Sequence, residues 1–115
     1  MPKMEGGKSK MKLAYVAGPY RAKTKLGVIL NIIRARRVAK KLWKMGYAVI
    51  CPHMNSALMD NIAPVNTFLD GYIEILKRCD VLVLQGKWKQ SAGTLKEIEI
   101  AKQYEIQIES EGEEE

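Results

Sequence analysis

The chain is poor in the side chains that bind transition metals or form cross-links. Histidine occurs once, as His53, and cysteine twice, as Cys51 and Cys79, with no C-x-x-C pair. A Cys/His zinc centre is therefore not expected, and both thiols read as reduced core residues. No apolar run approaches the ~20 residues that a bilayer span requires, and the opening "MPKMEGGKSKMK" lacks the apolar core of a secretory leader. The expected setting is cytoplasmic, with no membrane partner. The sequence also contains no G-x-G-x-x-G and no G-x-x-x-x-G-K-[ST]. A dinucleotide fingerprint and a P-loop are both excluded, and no cofactor or metal is expected. There are no internal repeats.

What remains is one domain's worth of amphipathic sequence. The 115 residues are enough for one compact core and too few for two, and a hydrophobic content of 47% with 28% charged residues is that of a globular chain. The net charge of +6 is unevenly spread, with a basic run "RARRVAKK" in the first half and an acidic end, "ESEGEEE". The basic run lies on the polar face of a helical pattern without interleaved aromatics, so it reads as a solvated face and a nucleic-acid partner is not expected. A small anionic substrate suits the positive field. Residues 1–10 read as a disordered basic N-terminus, 11–109 as the domain and 110–115 as a disordered acidic tail.

Strand and helix patterns alternate along the domain. "KLAYVAG" predicts a first strand at about 12–17. Val28, Ile32, Ala35, Ala39 and Leu42 repeat at helical spacing between about Leu26 and Met45, and Gly46 is a helix stop. "YAVICP" predicts a buried second strand, "TFLDGYIEILKRC" a helix, and "DVLVLQ" a third strand buried on both faces. "SAGTLKEIEIAKQY" is a further helix, and "EIQIE" a short last strand. This order predicts an α/β fold: a three-layer flavodoxin/Rossmann-like domain on a four- to five-stranded parallel sheet. Ligands of such sheets bind beyond the carboxyl ends of the strands. "AGPYRA", "CPHMN" and "GKWKQSAG" should meet there, with "LDGY" nearby, whereas Asp80 falls at the opposite edge as a cap or turn residue.

One carboxylate is out of place. At about 100° per residue, Leu95, Ile98, Ala101 and Tyr104 form an apolar arc, and Glu97 falls inside it while Glu99 falls outside. A semi-buried carboxylate has a raised pKa unless it is paired. It can act as nucleophile or acid/base at an anomeric carbon, or it can be a helix-terminal glutamate paired with Arg21 or a lysine. Ser91 is a good N-cap for the same helix, and Gly93 allows a ligand close to the backbone, a combination that favours an anion such as phosphate. In "GPYR", Gly18 allows close approach, Tyr20 can stack on a base and Arg21 can hold an oxyanion. His53 and Trp88 are candidates at the same edge. Glycosidic chemistry usually uses a second carboxyl. Asp70 serves only if its helix starts near it, and Asp60 is the reserve.

Taken together, "YVAGPYRA", "GYAVICPH", "LKRCDVLVL" and "GKWKQSAGTLKEIEIA" resemble the nucleoside 2-deoxyribosyltransferase-like superfamily, which includes the 2'-deoxynucleoside 5'-phosphate N-hydrolases. The S-x-G-x-x-x-E pattern is met by Ser91, Gly93 and Glu97. The resemblance implies that Glu97 is the nucleophile, that Ser91 and Gly93 help form the pocket, and that Tyr15, Gly18 and Arg21 line the sugar and base pocket. It places the N-hydrolases' Asp at Tyr72, two residues from Asp70. It also implies a nucleoside or nucleotide as substrate and a homodimer or higher homo-oligomer as the working form.

Overall fold

A computed structural model of the chain describes residues 11–55, 59 and 61–111. The expected N-terminal segment 1–10, the reserve carboxylate Asp60 and the last four residues lie outside the described residues. Four parallel strands form one sheet: β1 (Leu13–Ala17), β2 (Ala48–Ile50), β3 (Val81–Gln85) and β4 (Gln107–Glu111), in the order β2-β1-β3-β4. The connecting helices are α1 (Lys25–Lys44), the short α2 (Pro52–Asn55), α3 (Val65–Leu76) and α4 (Ala92–Gln103).

Strand alternation divides the core in two. Ala14, Val16, Val81 and Val83 face one side and pack with Ala35, Ala39 and Leu42 of α1. Tyr15, Ala17, Leu82 and Leu84 face the other and pack with Leu76 at the end of α3, Cys79 and Ala101 of α4. Each large apolar side chain buried in this way contributes about 1.5–3 kcal/mol. The chain steps from β1 to β2 on one side and from β2 to β3 on the other. Crossovers of one hand then require α1 on one face and α3 and α4 on the opposite face, which is the arrangement found. The order is that of the flavodoxin-like sheet, whose direction reverses between β1 and β3. The α/β, three-layer reading therefore holds, with four strands among the described residues.

Local signals set the element ends. Thr24 caps α1, its side chain accepting from the Gly27 backbone N–H at 3.0 Å. At the other end Gly46 has φ +99°, its N–H donates to Trp43 O, and the Tyr47 N–H donates to Leu42 O. This double bond pattern is a Schellman stop. Both cysteines are free and buried. Asp80 closes the amino edge: the Leu13 N–H donates to its Oδ2 at 2.7 Å, and its own N–H donates to Leu13 O at 2.8 Å.

The structure departs from the sequence reading at three places. β2 is a half-buried edge strand, not a buried one, because only β1 pairs with it. β4 runs to Glu111, two residues into the expected tail. Ser110 and Glu111 pair with Leu84 and Gln85 through the backbone, which an exposed edge permits whatever the side-chain charge. α3 begins at Val65, well before Asp70, because Pro64 with φ −60° and ψ 151° supplies its N-cap.

Gly18 sits where β1 leaves the sheet beside β3. A Cβ there would collide with the Gln85 side-chain amide and lie 2.5 Å from the Gln85 carbonyl oxygen. Gln85 itself is buried, so the clash has no outlet. Gly18→Ala should lower unfolding free energy by about 1–3 kcal/mol, read from the urea midpoint. Gly93→Ala, where a Cβ meets nothing within 4 Å, should leave that midpoint unchanged or raise it.

Candidate functional site

The carboxyl ends of β1, β2 and β3 bring together the segments that the sequence placed there. The imidazole of His53, the second residue of α2, is buried, and its Nε2 lies 2.8 Å from the Pro19 carbonyl. A carbonyl only accepts, so Nε2 carries the hydrogen. Burial lowers the His53 pKa, with the Pro19 contact opposing it, which favours the neutral ring. Tyr20 meets the same imidazole edge-on, with centroids 5.7 Å apart. His53 thus fastens the loop after β1 to the segment after β2. Asn31 of α1 holds that loop from the other side, donating to the carbonyls of Tyr20 and Arg21 at 3.1 and 3.4 Å. Tyr20 and Arg21 themselves project outward and are exposed.

The third segment enters through a single 3-10 turn, Trp88–Gln90, in which Trp88 packs on the core of the α3/α4 face. Ser91 then caps α4: its Oγ accepts from the Thr94 N–H at 3.2 Å and from the Thr94 hydroxyl at 3.0 Å. These bonds let Thr94 be buried, and they turn the inner arc of α4. Thr94, Glu97, Ile98 and Ala101 face inward, while Leu95 and Tyr104, expected in the arc, are exposed. Counting only apolar residues misses Thr94, whose hydroxyl is satisfied locally.

Glu97 points inward. Its Oε2 accepts from the phenolic O–H of Tyr15 at 2.7 Å, across from the middle of β1. Neither Arg21 nor a lysine forms an ion pair with it among the described residues. Burial pushes the Glu97 pKa up to about 7, the Tyr15 hydrogen bond pulling the other way. Tyr15 is wholly buried and its own pKa is raised, first by burial and then by the charge of Glu97. Tyr72 of α3 lies in the same cluster, its hydroxyl accepting from Asn55 Nδ2 at 3.2 Å. The role of Tyr15 as the donor to Glu97 was not read from the sequence. The available signal was a tyrosine inside the otherwise aliphatic strand "LAYVA", whose hydroxyl needs a partner once buried.

Asp70 does not join this group. It lies in mid-helix on α3 and is exposed, because the helix starts too early to bring it to the sheet edge. Gly93 is in the first turn of α4 with open space over it. At Gly18 an added Cβ would strike Gln85, so the glycine makes room for that neighbour.

Four buried side-chain polar atoms have no hydrogen-bond partner among the described residues: His53 Nδ1, both amide atoms of Gln85, and Trp88 Nε1. All belong to segments at the carboxyl edge of the sheet. A buried polar atom without a partner costs about 1–3 kcal/mol. No cluster of three or more His, Cys, Asp or Glu side chains suited to a metal occurs among the described residues. Nor is any of their helices long and apolar enough to cross a membrane.

The raised pKa of Glu97 has a consequence for stability. Between the ordinary carboxylate value and about 7, the folded state binds a proton that the unfolded state has lost. Stability therefore falls as pH rises through that window. Glu97→Gln removes the titration while leaving an acceptor for Tyr15. Its stability relative to the parent should rise by about 2–3 kcal/mol from pH 4 to pH 8.5, measured by urea unfolding at each pH. Tyr15→Phe should move the Glu97 pKa further up, as followed by carboxyl carbon NMR.

A search of curated proteins gave no match to the chain. A family model, described as "Domain of unknown function (DUF4406)", matches residues 12–110, from the lysine before β1 almost to the end of β4. The chain belongs to this family.

Proposed function

We propose that the protein cleaves or transfers the N-glycosidic bond of 2'-deoxynucleosides or their 5'-monophosphates, with Glu97 as nucleophile. The observation that carries this reading is the inward carboxylate on α4, held by a tyrosine hydroxyl instead of a cation. A cation partner would lower its basicity; Tyr15 orients it while burial keeps its pKa near 7. The Tyr15 hydroxyl engages Oε2, and the attack on C1' is assigned to Oε1. The C1'–N bond breaks as the C1'–O bond forms, and the base departs with its bonding pair and takes a proton from solvent. Water or a second base then displaces the carboxylate from C1'.

The first turn of α4 supports an anion subsite. Glycine there costs about 1 kcal/mol relative to alanine, and the fold does not use the space it leaves. Backbone N–H groups at a helix start favour phosphate, so the 5'-phosphate or sugar hydroxyl is assigned to Ser91 and Gly93. The base is assigned to Tyr20 or Trp88 for stacking, with Arg21 at the rim. The working assembly under this reading is a homodimer or larger, as the superfamily resemblance implies.

A second reading is a non-catalytic nucleotide-binding domain of the same fold. The exposed position of Asp70 favours it, since that residue was the expected second carboxyl.

Incubation with a panel of deoxynucleosides and their monophosphates, followed by chromatography for free base, separates the two. Catalysis predicts base release that Glu97→Gln lowers at least about a thousandfold. It also predicts a kcat/KM that rises with pH through about 7 as the nucleophile ionises. Saturable binding without base release selects the binder. Neither binding nor release discards both.

A further inference from the structure

A second surface lies on the sheet face opposite α4. The second half of α1 carries Arg36, Arg37, Lys40, Lys41 and Lys44, which with Ile33 line a groove of about 550 Å³. Lys41 Nζ is 3.1 Å from Glu111 Oε2 of β4. The side chains of Arg36, Arg37, Lys40 and Lys44 have no ion pair or hydrogen bond among the described residues.

Helix physics alone does not account for this cluster. Lys41 and Lys44 lie in the last turn and complement the helix dipole there. Arg36, Arg37 and Lys40 lie too far from the end for that effect. α1 contains no acidic residue, so its like charges at i, i+3 and i, i+4 repel at about 0.2–0.5 kcal/mol per pair. Beside them Trp43 is 55% exposed. It follows Lys40 by three positions and Arg36 by seven, which sets it along the same side of the helix. Leu42, not Trp43, supplies the core contact at that turn.

We propose that this groove binds single-stranded nucleic acid, the cations following the phosphate backbone and Trp43 stacking on a base. The run from Arg36 to Lys44 spans about 12 Å of helix axis, enough for about three nucleotides at ~3.4 Å per residue of one strand. Positive grooves flanked by an exposed aromatic suit single strands, because every unpaired base offers a face to stack on. A duplex would use the cations and leave the indole idle. In the sequence the basic run stands without aromatics inside it; that Trp43 just beyond it stays exposed is decided by the packing of α1 on the sheet.

The test uses the full chain and a fluorescein-labelled 15-nucleotide single-stranded DNA, followed by anisotropy and tryptophan emission. Saturable binding at ~50 mM salt is expected, with log K falling against log salt at a slope of about −2 for about three neutralised phosphates. Trp43→Phe should abolish the emission quench and weaken binding at least about fivefold. Arg37→Glu with Lys40→Glu should weaken it at least about tenfold, with circular dichroism checking the helix. Lys96→Glu with Lys102→Glu makes the same charge change on α4 and should cost less than about twofold. The proposal is overturned if no saturation occurs at ~50 mM salt or if the α4 pair loses as much as the α1 pair. It is equally overturned if a duplex of the same length binds as tightly.

Discussion

The bond between the Tyr15 hydroxyl and Glu97 ties the centre of the sheet to α4, and the candidate site depends on it. Tyr15 is wholly buried in a strand that pairs on both sides, so its hydroxyl has one direction to go and one partner to find. Glu97 meets it at 2.7 Å. A hydrogen bond to a charged group is worth about 1.5–3 kcal/mol, less than full removal of a carboxylate from water costs. The balance shows in a pKa held near 7, not in the ordinary carboxylate range.

The rest of the edge is tied down by hydrogen bonds of its own. His53 and Asn31 fix the loop after β1 from two sides, and Ser91 sets the start and rotation of α4. Gly18 leaves room for Gln85 at the point where the strand order reverses. The loop residues are therefore positioned by hydrogen bonds from rigid elements, the usual way for an α/β scaffold to present a ligand edge.

Charge is divided between the two faces of the sheet. The face carrying α4 holds a buried acid in a mostly apolar setting. The face carrying α1 bears a row of cations and, on the same helix, an exposed Trp43. The two surfaces are separated by the sheet, so each can be altered without touching the other. Membership in a family described only as a domain of unknown function leaves both open to direct test.

The sequence by itself determined the alternation of elements, the parallel sheet, the Ser91 cap, the Gly46 stop and the inward turn of Glu97. These follow from local periodicity and from end signals a few residues long. Tertiary structure alone decided which hydroxyl meets Glu97, since Tyr15 is 82 residues away and only strand register aligns the two. It also decided that Asp70 stays outside, because the start of α3 at Val65 is set by Pro64 and not by the helix's apolar face. It decided that Gly18 serves Gln85, a contact between strands distant in sequence. And it extended β4 to Glu111, because backbone pairing with β3 is blind to the acidic side chains from which a disordered tail was read.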